Sequence, residues 1–520
     1  MPRLKTVLMA TCGTLAGLAG VVALLTRDVD ITSWKMIWNS VSGSPGPRAE
    51  PALLKQQLRA APGWQIGLYA DAVPEARVLR LTAAGDLLVS QPRLGQITLL
   101  GRDANGDGHP DSQTVLMSGL DRPHGVEVAD GFLYVGETGA VGRVPFDAQT
   151  GRITGEYAHV ITGMPEGGNH WSRSVRIGPD GWLYVHVGSS CNSCIEEHPW
   201  RATMLRARPD GTDLAVHASG LRNSVGFDWA PWSDELFATD NGRDLLGDAF
   251  PPCELNRIVQ GGFYGWPFVN GFNVLDPDNG AGHEPALQTA LAPAHGFRAH
   301  TAPLGIRFLR HQQEPALARS ALVALHGSWN RSSADGYEVV RLDWAADGTL
   351  TETPFVSGFE KDGNVIGRPV DIAESPTGEL FVSDDYAGAV YRLWRGEAPV
   401  EGIPVTAAQK TAVNTDPLAG IGAADISAAI AQAEPLLARF ACTGCHAPGT
   451  PMGDKMLTVA ERYTVDTLSA YFVTPRPPMP VFPLSEEDRR ALAIYLLSSP
   501  DQSSSGSAAN SSATPASKES

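Results

Sequence analysis

The chain has 520 residues, 43% of them hydrophobic, with 55 Gly and 39 Pro. So many turn-forming residues favour numerous short strands over long helices. The formal charge of −17, from 40 basic and 57 acidic residues, argues against nucleic acid as a partner, and six cysteines are too few for a disulfide scaffold.

The N-terminus reads as a membrane segment. Arg3 and Lys5 precede an apolar run from Val7 to Leu25, which as a helix is about 28 Å long and close to the thickness of a bilayer core. The leading positive charges predict a cytoplasmic N-terminus with the rest of the chain outside. A cleavable signal peptide is the competing reading, although no small-residue cleavage site is clear. Residues 1–30 are therefore expected to form an N-terminal transmembrane helix or signal. Residues 31–61, with SGSPGPRAEP, form a linker.

From residue 62 to 396 one phrase recurs: a short strand, a Gly/Asp turn, and a second strand of alternating apolar residues. LRLTAAGDLLVSQ, HGVEVADGFLYVGE, VRIGPDGWLYVHVG, VGFDWAPWSDELFATD and VDIAESPTGELFVSD are five copies, and SALVALHGSWN with GYEVVRLDW is a less regular sixth. Each copy is a hairpin signal. Arg77, Pro123, His170 and Arg222 mark successive units 46, 47 and 52 residues apart, and an insertion follows at 253–303. A period in the forties predicts a six-bladed β-propeller.

Within this region, Asp103–Asp111 has the D-x-N-x-D-G spacing of a calcium loop. Its twelfth position is Thr114 rather than a bidentate Glu, so a structural Ca²⁺ site and an Asx-rich turn are both open. Cys191 and Cys194, in GSSCNSC, predict a local disulfide in an oxidising compartment. A zinc site with His198 and Cys253, or a bridge from Cys253 to one of the pair, is the alternative.

Beyond a linker at 397–424, residues 425–500 contain Cys442-Thr-Gly-Cys445-His446. C-x-x-C-H is the c-type haem attachment signature: both thiols bond the haem, and His446 becomes an axial iron ligand. An Ala-rich helical segment precedes it, and LSEEDRRALAIYLLSS, with acidic residues at its start, closes the unit as a second helix. The unit resembles a small, all-α class I cytochrome c. Met479, just before the last helix, is the expected second ligand, with Met452 and Met456 as rivals. Residues 501–520 are a polar, disordered tail.

Polar residues recur at one end of the repeat units: His124, Asn169-His170, Arg222-Asn223, Asn241-Gly242-Arg243-Asp244, His326 to Arg331, and Arg368. In a radial array they converge on one channel mouth, and an Arg/His-rich funnel suits a polyanionic ligand. HWSRSVRIGPDGWLYVHVGSSCNSC, GLRNSVGFDW, TDNGRDLLGD, ELN, GGFYGWP, HGSWNR and GRPVDI occur in one order across this region. In that pattern the chain resembles the soluble glucose dehydrogenase/sorbosone dehydrogenase family, which uses pyrroloquinoline quinone (PQQ).

The resemblance implies roles for individual residues. His170 matches the general base, and Arg222 is expected to act with it in catalysis. Arg222, Asn223 and Arg368 match residues that hold PQQ, with Arg331 and His124 as further candidates at its pocket. The backbone carbonyls of Gly242 and Arg243 match the loop that ligates Ca²⁺. Three positions depart from the glucose enzymes: Asn169 and Cys253 stand where those carry acids, and Val370 where they carry a second Arg. Together with haem c, the resemblance implies a periplasmic quinoprotein that oxidises a small sugar or aldehyde. Electrons would pass through its own haem to a cytochrome, quinone or oxidase. Its location would be the outer side of a bacterial inner membrane. A lactonase-like propeller hydrolase and a cofactor-less electron-transfer protein are the other readings.

Overall fold

The computed structural model describes residues 50–396, 418, 421–440, 442, 465–473 and 482–498. The apolar run at 7–25, Cys445, His446, Met452, Met456 and Met479 lie outside them. No helix among the described residues is long and apolar enough to cross a membrane. The chain divides into two compact units, Met1–Ala408 and Gln409–Ser520.

The first unit is a six-bladed β-propeller. The first blade runs Leu79–Leu81, Leu87–Gln91, Gln96–Leu100 and Gln113–Met117 as an antiparallel meander. The second begins at Gly125–Ala129, the third at Arg173–Ile177, the fourth at Phe227–Trp229, the fifth at Pro303–Phe308 and the sixth at Pro369–Glu374. The sixth blade has three strands from the C-terminal side, and the N-terminal strand Gln65–Ala70 supplies its fourth by pairing with Ala389–Trp394. The ring is thereby closed by distant parts of the chain, which removes the free edges of an open array. Arg59–Ala60, upstream of the expected start at 62, adds a fifth strand to the fifth blade.

Local sequence explains the hairpins. Asp130 and Gly131 both take positive φ, +50° and +78°, between the paired residues Ala129 and Phe132. That is the type I′ geometry that matches strand twist. The irregular sixth copy proves to be offset by one strand. Ser320–Leu325 and Glu338–Trp344 are the second and third strands of the fifth blade, and the inner strand Pro303–Phe308 precedes them. The expected insertion begins with a blade strand, Cys253–Ile258, and ends near another, His295–Phe297. Between them lie a small hairpin, Val269–Asn270 with Val274–Leu275, and a short helix. Apolar faces of adjacent blades pack together, as where Phe237 and Leu255 meet Phe308, Val323 and Trp344.

A ring of charges lies on the propeller axis. Each inner strand contributes one charged residue between apolar neighbours: Arg80, Glu127, Arg176, Asp228, Arg307 and Asp371, alternating in sign around the ring. Arg80 pairs with Asp371 at 3.2 Å and Glu127 at 3.3 Å; Arg176 pairs with Glu127 at 2.6 Å and Asp228 at 3.1 Å. Arg307 donates to the Ile372 carbonyl at 3.2 Å, and Arg310 caps Asp228 at 2.9 Å. A cavity of about 20 Å³ lies among the inner strands, lined by Arg80, His124, Ser174, Arg176, Val370 and Asp371, among others. That is room for about one water, so the channel is a plugged axle rather than a passage.

The second unit shows helices at Ala423–Arg439, Val465–Tyr471 and Glu486–Ser498. Ala429, Ala433 and Leu436 of the first pack with Leu468, Leu492 and Leu497 of the others. The two helices expected to flank the haem motif are therefore present. The last is capped at its start, where Asp488 N donates to Ser485 Oγ at 3.1 Å. Cys442 is half-buried.

Candidate active site

The residues at one end of the inner strands converge on the mouth of the axle, as the repeat phase predicts. His170 precedes the third inner strand. Its Nδ1 lies 2.9 Å from the Ser189 carbonyl and 2.8 Å from Ser189 Oγ. A carbonyl can only accept, so Nδ1 carries the proton and Nε2 presents a lone pair. Burial, then the neighbouring Arg222 charge, holds the ring's pKa well below the ordinary histidine range, so His170 is neutral at neutral pH. These are the attributes of a general base.

Two arginines that sequence reasoning missed fix this histidine's backbone. Arg173, fully buried, donates from Nη1 to the His170 carbonyl at 3.1 Å, and Arg201 does the same at 3.1 Å. Arg201 also reaches the carbonyls of Gly188, Glu166 and Gly167. The HWSR phrase was the available signal for Arg173; Arg201 carried none. Gly188 lets the base approach its neighbour, since a Cβ there would lie 2.6 Å from His170 Cβ and 2.9 Å from Asn223 Oδ1.

Arg222 has a different disposition from the one the sequence suggests. Nε donates to the Asn192 carbonyl (3.0 Å), Nη1 to the carbonyls of Asn241 (3.1 Å) and Gly242 (3.0 Å), and Nη2 to Asn192 Oδ1 and Asp244 Oδ2 (both 2.8 Å). A guanidinium has five N–H donors, and all five are occupied. Arg222 therefore offers a ligand its charge and an oriented carbonyl loop, not a free fork. Arg331 is likewise bound into the protein, to the carbonyls of Asp248 and Ala299 and to Asp335. Arg243 turns its side chain to Asp276 and Asp278 in the insertion, leaving its carbonyl as the candidate ligand.

Arg368 keeps open donors. Nε and Nη2 hold the carbonyls of His326 (2.9 Å) and Gly327 (2.8 Å), while Nη1 makes no hydrogen bond among the described residues. His326 Nε2 meets Asp385 at 2.8 Å, and Arg77 meets the other oxygen of that carboxylate at 2.6 Å. Burial and Arg368 push His326 down to about 4. Burial alone would raise Asp385, but His326 and Arg77 outweigh it and hold the carboxyl well below its usual range. His124 is fully buried beside the axial cavity, with its Nε2 lacking a partner among the described residues. Its ring stands edge-on to Trp171 at 5.8 Å, and Arg122 lies 3.9 Å from the same indole.

The oxygens around Gly242 suit a hard cation. Asn223 Oδ1 and Asn241 Oδ1 are buried without hydrogen-bond partners among the described residues; Asn241 precedes Gly242, and its backbone N–H and Nδ2 both donate to the Asn223 carbonyl. A Cβ on Gly242 would lie 2.7 Å from the Pro252 carbonyl, so the loop is close-packed there. Behind it, Asp240 and Glu254 are buried on adjacent strands, and burial together with mutual repulsion raises the Glu254 pKa. Neutral amide and carbonyl oxygens before a buried acidic pair match calcium's preferences. Arg368 Nη1 and the unpartnered His124 Nε2 fit a polar, anionic cofactor.

Cys191 and Cys194 form a disulfide, as the spacing predicts. Cys253 is buried apart from them, in the packing between the fourth and fifth blades, so neither a bridge from it nor a zinc site including it is formed. Glu196 lies near the pair, but both its oxygens accept from Ser190. Among the described residues, no other group of three His, Cys, Asp or Glu is close enough to hold a metal. The Asp103 loop is built as an Asx turn: Gly106, Asp107 and Gly108 N–H groups and Arg392 fill the Asp103 carboxylate. Val370 is buried against Val225 and Leu304, and the Asn169 side chain is exposed.

A family model described as TrAA12-like matches residues 58–250 and 274–396. Among curated proteins, an uncharacterized protein of Borreliella burgdorferi is 36% identical over 218 residues, 41% of this chain and 57% of the relative. A pyrroloquinoline quinone-dependent pyranose dehydrogenase of Coprinopsis cinerea is 24% identical over 441 residues, 69% of this chain and 57% of the relative. The chain thus spans little more than half the length of these curated relatives. Among solved structures, the iodide structure of a Trichoderma reesei family AA12 carbohydrate-active enzyme matches with a TM-score of 0.58 at 21% identity. It covers 65% of this chain and 98% of that one. The holo form of the pyranose dehydrogenase PQQ domain from Coprinopsis cinerea matches with a TM-score of 0.56 at 22% identity, over 68% and 99%. Both share the propeller fold.

Proposed function

The chain belongs to the TrAA12-like family, and from that premise we propose that it is a PQQ-dependent dehydrogenase of a small sugar or aldehyde. The observation that carries the reading is His170: neutral, its Nδ1 fixed on the Ser189 carbonyl, its Nε2 without a hydrogen bond among the described residues. It stands beside a carbonyl loop oriented by Arg222. When bound, PQQ supplies a two-electron acceptor and Ca²⁺ the Lewis acidity that polarises it.

The protein's own residues do the rest. His170 Nε2 takes the proton of the substrate hydroxyl, and the Arg222 charge, with burial, keeps the ring unprotonated and able to accept it. The Gly242 and Arg243 carbonyls, with the amide oxygens of Asn223 and Asn241, would hold the calcium. Arg368 Nη1 would take a carboxylate of PQQ, and His124 Nε2 would close the pocket floor.

The C-terminal unit, 425–500, would carry haem c on Cys442 and Cys445 with His446 and Met479 as axial ligands, and pass electrons to a cytochrome, quinone or oxidase. A fused acceptor raises the effective concentration of one redox centre near the other. The enzyme would work on the periplasmic side of a bacterial inner membrane, anchored by residues 1–30 or released if these are cleaved.

The test is to add PQQ and Ca²⁺ to the full chain and screen aldoses, sorbosone and alcohols for appearance of the reduced haem c absorption band. Reduction that requires PQQ and is abolished in His170→Ala is expected. No reduction with any substrate, or wild-type turnover by His170→Ala, would overturn the assignment.

A further inference from the structure

The loop closed by the Cys191–Cys194 disulfide contains two residues, and one of them, Asn192, bonds Arg222, Asp244 and Trp266. The Asn192 carbonyl accepts from Arg222 Nε at 3.0 Å and Trp266 Nε1 at 3.4 Å. Asn192 Oδ1 accepts from Arg222 Nη2 at 2.8 Å and from the Asp244 backbone N–H at 2.9 Å, and its Nδ2 donates to the Asp244 carbonyl at 3.1 Å. Asn192 therefore grips the backbone of Asp244 on both sides, two residues beyond Gly242. It also directs the guanidinium that holds the Gly242 carbonyl.

The other end of the loop reaches the base. Ser189 Oγ donates to the Cys191 carbonyl at 2.7 Å and lies 2.8 Å from His170 Nδ1. The third-blade loop thus touches the fourth-blade carbonyl loop through Asn192 and the base through Ser189. A crosslink across two residues removes the freedom with which a polar surface loop would otherwise release these bonds.

We propose that the disulfide-closed loop is a positioning element and that Asn192 is its positioning residue. It sets Arg222 and, through Arg222 and Asp244, the direction of the Gly242 carbonyl, and so tunes the affinity of the proposed calcium site. The inference rests on the reading of that site given above. Residues that orient ligands typically alter metal affinity by about 10–100-fold when removed.

The measurement is Ca²⁺ affinity by calorimetric titration of the full chain with PQQ present, followed together with unfolding by tryptophan fluorescence. Asn192→Ala should weaken Ca²⁺ binding at least about tenfold. Cys191→Ser/Cys194→Ser, which opens the loop without removing an Asn192 atom, should shift affinity in the same direction. Asn192→Asp keeps the acceptor facing Arg222 and the Asp244 N–H and should recover most of the affinity, a rescue that general destabilisation would not give. Unchanged affinity in Asn192→Ala, or in the double serine variant should Asn192→Ala not fold, overturns the inference. A wild-type chain that binds no Ca²⁺ with PQQ present overturns the reading of the site as well, which separates the two failures.

Discussion

Asp228 is the residue on which the plugged axle depends most. It is fully buried and accepts five hydrogen bonds: from Arg176 Nη2 (3.1 Å), both Nη atoms of Arg310 (2.9 Å each), and the backbone N–H groups of Trp229 and Phe308 (2.9 Å each). Burial would raise its pKa, but Arg176, Arg310 and Arg307 overcome that and hold it well below the carboxylate range. Asp228→Asn preserves the shape, removes the charge and turns one acceptor oxygen into a donor facing other donors. Removing one partner of a buried ion pair costs about 3–5 kcal/mol, because the other charge stays buried. Against a typical stability of about 5–15 kcal/mol, that is a large fraction. With a urea slope of roughly 3 kcal/mol per molar, the midpoint should fall by about 1–1.7 M. Tryptophan fluorescence reads this cleanly, since the last tryptophan is Trp394 and the C-terminal unit has none. A loss below about 1 kcal/mol would refute the reasoning, because it would mean the ring is solvated and its pairs are worth no more than surface ones.

Two further outcomes concern the site. Gly188→Ala places a methyl 2.6 Å from His170 Cβ and should lower sugar-dependent turnover at least about tenfold, the scale of displacing a catalytic base, with circular dichroism unchanged; unaltered turnover would show that the base tolerates displacement. The depressed pKa of His170 also fixes the sign of a pH profile. A base whose pKa lies below about 6.5 stays unprotonated on acidification through that value, so kcat/KM should remain level from pH 8 past 6.5 and decline only well below it. A decline centred at or above 6.5 would contradict the burial-driven shift.

Five of the six blades were legible because their first two strands are joined by a tight Gly/Asp turn, as at Asp130–Gly131. The fifth was misphased because its inner strand, Pro303–Phe308, is followed by a longer connection with a 3-10 turn at Pro315–Leu317, so the hairpin phrase falls one strand late. The charge ring was also written in the chain, as LRL, VEV, VRI, FDW, IRF and VDI. A charge between two apolar residues reads as an ordinary alternating strand, and only closure of the ring reveals that these residues face one another. The convergence of His124, His170, Asn223 and Arg368 was legible from repeat phase. The occupancy of Arg222 was not, because its partners are five backbone and side-chain groups of four residues brought from two loops.

That occupancy changes what makes the mouth selective. An Arg-rich funnel suggests recognition by free guanidinium forks, yet Arg173, Arg201, Arg222 and Arg331 all direct donors to protein carbonyls. Loops that cross a propeller mouth have no ladder to satisfy their backbone groups, and buried carbonyls without donors are costly. The arginines meet that need with a planar array of donors that no lysine could match, and in doing so they fix which carbonyls remain turned toward a ligand. What is left to bind is sparse: the Arg368 Nη1 group, the Nε2 nitrogens of His124 and His170, and amide and carbonyl oxygens around Gly242. Selectivity at such a mouth resides in the direction of those few groups, and the arginines around them act by holding that direction.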